Sequence, residues 1–169
     1  MDDAGDRDHS RAPELEDLLS LCRALERERV RYALIGGFAV ILHGYVRGTK
    51  DIDLLVDPAE ENVRALKRAL ADLPDDAAAE IGEGDVSRYT VVRVADEVVI
   101  DLMASACGVR YEDLADGGIE RIELEGTAIP VATKQSLIRM KQTVRDSDAA
   151  DVRFLRLRIE AERDPMSGG

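Results

Sequence analysis

Apolar residues recur along this chain with two different periods. A spacing of three or four predicts one amphipathic helix from Pro13 to about Glu28 and a second after Asp57, which we place as the helix cap. Short aliphatic runs predict strands from Tyr32 to Ile35 and from Ile52 to Val56. Helices alternating with aliphatic strands indicate an α/β fold.

The second half of the chain continues with strand pairs and ends in helices. The predicted elements are a hairpin of Arg88 to Val94 and Glu97 to Met103 around Ala95-Asp96, a hairpin of Ile119 to Leu124 and Thr127 to Val131, a helix from Lys134 to about Arg145, and a helix from Ser147 or Asp148 to about Glu162. We therefore expect a short mixed β-sheet flanked by helices, with a helical C-terminal segment.

The same pattern predicts one domain. Residues 1–12 have almost no apolar content and are expected to form a disordered tail, and residues 164–169 are expected to be a frayed end. Between them, residues 13–163 would form a single domain in which residues 134–163 make a helical hairpin.

Composition narrows the class of protein. Hydrophobic residues make up 45% of the chain and aromatic residues only 4%, which predicts an aliphatic core. No apolar run is long enough to span a membrane, and the first residues are acidic rather than basic. These features predict a cytoplasmic protein with no membrane partner.

Charge argues against broad nucleic-acid binding, because the formal net charge is -12. The distribution is uneven: residues 71–87 contain six acidic residues and no basic one, whereas residues 134–163 contain eight basic residues and five acidic ones. An anionic partner is therefore expected at the C-terminal helices.

Candidate chemistry lies in the stretch YALIGGFAVILHGYVRGTKDIDLLVD, residues 32–57. Gly36 and Gly37 follow a strand and precede a helix, where a bare backbone can approach a phosphate closely. Asp51 and Asp53 are two apart on a strand and so share one face. Two adjacent carboxylates repel each other unless a cation lies between them, and Mg²⁺ is the hard ion that suits carboxylates together with phosphates.

Asp101 extends this carboxylate pair. It ends the aliphatic run Val98 to Ile100, and an unpaired buried carboxylate is costly. If its strand lies beside the Asp51–Asp53 strand, the three side chains form a site for two metal ions roughly 3.5 to 4 Å apart. The plainer alternatives are a turn or cap pair for the two aspartates and an ordinary tight turn for the glycines.

These residues resemble the head of the polymerase-beta-like nucleotidyltransferase superfamily, in which a glycine pair, a helix and an Asp-x-Asp strand follow one another. The nearest pattern is that of small bacterial proteins grouped with the abortive-infection toxins of type IV toxin/antitoxin systems. Many superfamily members have Gly-Ser where this chain has Gly36-Gly37, so one side-chain phosphate donor is missing.

The resemblance implies site roles. Asp51 and Asp53 would bind both Mg²⁺ ions, with Mn²⁺ as a substitute, and Asp101 would bind the catalytic ion and activate an acceptor hydroxyl. Gly36 and Gly37 would contact the nucleotide phosphates.

Cations near this stretch are further nucleotide-binding candidates. Arg47 precedes the aspartates and its forked guanidinium can hold a phosphate, whereas Lys50 is equally consistent with a solvated loop. Lys141 falls on the apolar stripe of its helix, together with Lys134 and Arg145. A phosphate contact is one interpretation of Lys141, and a salt bridge to Asp148 or Glu112 is the other.

The resulting hypothesis is an enzyme that moves a nucleoside monophosphate from an NTP to an acceptor hydroxyl with Mg²⁺. The acceptor could be a tRNA end, a protein or a small molecule, and the protein could be the toxin partner of a cognate antitoxin. Two alternatives stay open: an antibiotic nucleotidyltransferase of the aminoglycoside type, and a non-catalytic module that binds a nucleotide or a partner.

Overall fold

A computed structural model describes residues 10–141 and 146–164. Within this part of the chain the helices are α1 (Leu15–Arg27), α2 (Gly36–Leu42), α3 (Glu60–Leu70), the single turn α4 (Asp85–Arg88), α5 (Lys134–Met140) and α6 (Asp146–Arg163). Two 3-10 turns lie at Ala77–Glu80 and Tyr111–Leu114.

The strands confirm the expected mixed sheet. They are β1 (Tyr32–Ile35), β2 (Asp51–Val56), β3 (Val92–Ala95), β4 (Val99–Met103), β5 (Ser105–Ala106), β6 (Val109–Arg110), β7 (Ile119–Leu124) and β8 (Thr127–Ala132). Six of them form one sheet in the order β3-β4-β2-β1-β8-β7, and β5 and β6 form a separate two-stranded ribbon.

The sheet combines antiparallel hairpins with parallel contacts. β2 pairs antiparallel with β1 and parallel with β4, and β1 also pairs parallel with β8. Both predicted hairpins form, β3 with β4 and β7 with β8. The β2–β4 pairing is the one that matters for function, because it joins the Asp51–Asp53 strand to the strand of Asp101.

The core is aliphatic, as the composition predicts. Ile52 and Leu54 alternate with Asp51 and Asp53 along β2, and both are fully buried in one cluster with residues of α1 and α3. All four residues of β1 are buried. One face of β2 therefore anchors the sheet in the core, and the other face carries the carboxylates.

Asp57 does not cap α3, contrary to the prediction. The helix begins at Glu60 with Ala59 at the cap position, and Ala59 is extended with ψ 140°. The Asp57 carboxylate instead accepts a hydrogen bond from the Ala59 N–H at 3.0 Å and pairs with Arg31. Pro58 and Ala59 lie between Asp57 and the helix. The Asp57 side chain therefore hydrogen-bonds across this short turn and not to the first turn of the helix.

The first predicted hairpin has a longer turn than expected. Residues Asp85–Arg88 are helical and β3 begins only at Val92, so the strand predicted from Arg88 is four residues shorter at its start. The turn spans residues 96–98, because Ala95 pairs with Val99. The buried Asp96 carboxylate holds this turn by accepting hydrogen bonds from the N–H groups of Asp75, Ala77 and Glu97.

Only residues 10–12 of the predicted N-terminal tail and residue 164 of the predicted C-terminal end lie in the described part of the chain. Within the predicted tail, Arg11 bridges to Val98 and ion-pairs with Asp17. Helix α5 ends at Met140, and residues 142–145 lie outside the described part of the chain. Within the described ranges no helix combines the length and the apolarity needed to cross a membrane.

Candidate active site

Three carboxylates meet on one face of the sheet. Asp51 and Asp53 point from β2, and the parallel register sets Asp53 directly opposite Asp101 on β4. One carboxylate oxygen from each residue lies within 4.8 Å of the other two. The juxtaposition on which the sequence hypothesis depends is therefore present.

Burial and mutual repulsion define the electrostatics of this carboxylate cluster. Burial, followed by the negative charge of Asp101, raises the pKa of Asp51. Burial, followed by the charges of Asp51 and Asp101, raises the pKa of Asp53 to about 8. A divalent cation would remove this repulsion, and an all-oxygen set of carboxylates fits a hard ion such as Mg²⁺.

Arg93 lies against the carboxylate cluster and was not among the sequence candidates. It sits opposite Asp101 on β3, and its Nε and Nη2 donate to Asp101 Oδ1 and Oδ2, each at 2.9 Å. The predicted two-residue turn would have paired Arg93 with Val98. The observed three-residue turn pairs Arg93 with Asp101 instead. With that turn length, the alternation of side chains along the two strands would have placed Arg93 beside Asp101.

Gly36 makes room for the cluster. Its φ of +72° favours glycine, and a Cβ at this position would lie 2.0 Å from Asp53 Oδ2. A Cβ on Gly37 would lie 2.9 Å from Thr49 Oγ1 and 3.3 Å from Arg47 Nη2. The glycine pair therefore lets the start of α2 approach both the carboxylates and the loop that carries Arg47.

Arg47 and Lys141 are held by two buried carboxylates of α6. Arg47 Nη1 lies 2.5 Å from Asp151 Oδ2, and Lys141 Nζ lies 3.0 Å from the same oxygen. Lys141 Nζ is also 3.3 Å from Asp148 Oδ1, which is one of the salt bridges anticipated for this lysine. The other anticipated partner, Glu112, pairs with Arg110 instead.

The remaining cationic candidates differ in position. Lys50 lines the same cavity as the carboxylates. Lys134 pairs with Glu162 of α6 at 3.0 Å. Arg145 lies outside the described residues, so its predicted place on the Lys141 stripe stays a prediction.

The three carboxylates and most of the candidate phosphate-binding residues line one cavity of about 920 Å³. Its walls bring together the carboxylate cluster, both glycines, Arg47, Lys50, Arg93 and Lys141, with an apolar border of Val91, Met103 and Ala106. The lining therefore combines carboxylates, cations, exposed backbone at the glycines and apolar side chains. Such a cavity can hold a metal-bound anionic ligand beside a less charged group.

We expect Asp53→Asn to stabilise the metal-free protein at alkaline pH. A carboxylate with a raised native pKa binds a proton that the unfolded chain has already lost, so wild-type stability falls as pH rises from about 4 to about 8. The stability of the Asn variant does not fall in this way, because Asn does not ionise. In thermal melts with a chelator, the melting temperature of Asp53→Asn should therefore exceed that of the wild type by an amount that grows between pH 5 and pH 8.

The matched control is Asp116→Asn, which changes an exposed aspartate outside the cavity. Its melting temperature should follow that of the wild type across the same pH range. Equal or lower stability of Asp53→Asn at pH 8 would contradict the repulsion described for the cluster.

No protein-family model matches this chain, and no curated protein matches its sequence. Solved structures do match its fold. The lincosamide antibiotic adenylyltransferase LnuA, solved with lincomycin bound, superimposes with a TM-score of 0.61 at 17% identity, covering 86% of this chain and 98% of LnuA.

Two further structures extend the comparison. A nucleotidyltransferase-like antigenic protein from Paracoccidioides brasiliensis gives a TM-score of 0.55 at 17% identity, covering 89% of this chain and 78% of that protein. A proposed nucleotidyltransferase from Thermotoga maritima gives a TM-score of 0.50 at 19% identity, covering 92% and 93%. This chain therefore shares the fold of these nucleotidyltransferase structures.

Proposed function

We propose that this protein is a Mg²⁺-dependent nucleotidyltransferase that moves a nucleoside monophosphate from an NTP to an acceptor hydroxyl. The observation that carries the proposal is the meeting of Asp51, Asp53 and Asp101 within 4.8 Å, in a cavity that also contains the glycine pair. The shared fold supports the same assignment.

The metal would be held by the three carboxylates. Asp51 and Asp53 would hold both ions and Asp101 would be a further ligand of the catalytic ion, with Mg²⁺ as the expected metal and Mn²⁺ as a substitute. When bound, the metal supplies charge stabilisation to the α-phosphate and the leaving pyrophosphate. Asp101 would also accept the proton of the acceptor hydroxyl.

The nucleotide would lie along the glycine and cation side of the cavity. The backbone N–H groups at Gly36 and Gly37 are the proposed phosphate donors, supplemented by the guanidinium of Arg47 and the ammonium of Lys141. Asp151 is only 1% exposed and contacts both cations, so it would hold their side chains in place. ATP is the first nucleotide to test, because LnuA is an adenylyltransferase.

A thermal melt tests nucleotide and metal binding together. Ligand at a hundred times its dissociation constant adds about 2.7 kcal/mol to the free energy of unfolding, which is roughly 5 to 10 °C for a chain of this length. We expect that shift with Mg²⁺ and ATP or another NTP. The variant Asp51→Asn/Asp53→Asn should lose it.

Asp72→Asn/Asp75→Asn is the matched control, since it removes two carboxylates outside the cavity lining. No shift with any NTP would contradict the proposal. Tight nucleotide binding with no pyrophosphate released, with any acceptor, would favour the non-catalytic module.

A small-molecule acceptor is the second candidate, favoured by the likeness to LnuA over 98% of that chain. The cavity lining supports a weakly charged molecule. Among the described lining residues, the carboxylate outside the three-carboxylate cluster is Asp148, which is paired with Lys141, and Val91 and Met103 contribute apolar surface. A polycationic aminoglycoside would find few partners there.

Reactions with ATP labelled at the α-phosphate can identify the acceptor. We expect label on lincomycin or a related hydroxylated small molecule, more than on an aminoglycoside. The tRNA-end, protein and toxin alternatives rest on the sequence resemblance alone, so tRNA and cell protein are parallel arms. Label confined to either of those arms would contradict a small-molecule acceptor.

A further inference from the structure

Arg93 is positioned where a bound cation would have to lie. Its guanidinium makes two parallel hydrogen bonds that engage both oxygens of Asp101, each at 2.9 Å. Its Nη2 is also 3.7 Å from Asp51 Oδ2. Two residues of the carboxylate cluster are thus already in contact with a positive charge that belongs to the protein.

The other cations of the cavity are arranged differently. Arg47 and Lys141 are paired with Asp151, which faces them from α6 and is not part of the cluster. They can remain in place while the cluster takes up a metal. Arg93 competes with a metal directly, because its guanidinium occupies one lone pair on each Asp101 oxygen and places a positive charge beside the cluster.

The side chain of Arg93 also has room to rotate away from Asp101. Its side chain is 49% exposed and it lines the cavity of the carboxylates. The neighbours on its side, Val91 and Met103, are apolar and offer no competing acceptor through their side chains. Rotation of this long side chain can therefore free Asp101 without moving the strand.

We propose that Arg93 is a built-in counterion that competes with divalent metal for Asp101 and Asp51, so that metal binds more tightly when the guanidinium leaves Asp101. This inference rests on the proposed metal site. It makes Arg93 a positioning residue: it steadies the cluster when metal is absent and sets how tightly metal is held.

The test is metal binding without nucleotide, measured by calorimetric titration of Mg²⁺ and of Mn²⁺. We expect Arg93→Met to bind metal about ten to a hundred times more tightly than the wild type, because a charge-assisted bidentate contact no longer has to be broken. In a chelator the same variant should melt several degrees lower, because the cluster has lost its counterion.

Two controls separate competition from general effects. Arg31→Met removes an arginine of similar exposure that pairs with Asp57 and Glu61 outside the cavity, and its metal affinity should be unchanged. Lys50→Met removes one positive charge from the same cavity, and we expect a much smaller gain than in Arg93→Met.

Three outcomes would overturn the inference. Metal binding by Arg93→Met that is no tighter than that of the wild type would overturn it and leave the proposed function intact. Metal binding by Lys50→Met as tight as that by Arg93→Met would assign the effect to the general field of the cavity. Absence of metal binding in the wild type and in every variant would overturn the proposed metal site as well.

Discussion

Repulsion among three carboxylates on adjacent strands is the constraint on which this structure depends. The sheet fixes the backbone of Asp53 opposite that of Asp101 through strand pairing. Burial, followed by the charges of Asp51 and Asp101, raises the pKa of Asp53 to about 8. A fold that keeps such a cluster beside its core gives up stability, which is typical of a site built to bind a cation.

Residues around the cluster provide space for the carboxylates and positive charge beside them. Gly36 clears space for Asp53, and Arg93 supplies a positive charge to Asp101. Farther away, Asp151 gathers Arg47 and Lys141 beside the glycine pair. The protein therefore brings its own cations close to its carboxylates. Under the proposed function Arg47 and Lys141 would stay paired with Asp151 when a nucleotide binds, whereas Arg93 would leave Asp101 when metal binds.

Local sequence patterns predicted much of the site. The glycine pair, the alternation of Asp51 and Asp53 with aliphatic residues, and the unexpected aspartate at 101 are signals within single strands. The place of Arg93 depends on the hairpin register, which pairs it with Asp101 rather than with Val98, and Asp96 holds that turn by binding distant N–H groups. The contact of Asp151 with Arg47 joins residues 104 apart in sequence. Such contacts follow from tertiary packing, which local periodicity does not encode.

The central claim is that Asp51, Asp53 and Asp101 form a metal site for a nucleotide. Its most direct test is a crystal structure grown with Mn²⁺ and a non-hydrolysable NTP analogue, with the metal located by anomalous scattering. We expect manganese bound by oxygens of all three aspartates, with the triphosphate beside Gly36 and Gly37. Manganese bound elsewhere, or a nucleotide that avoids this cavity, would contradict it.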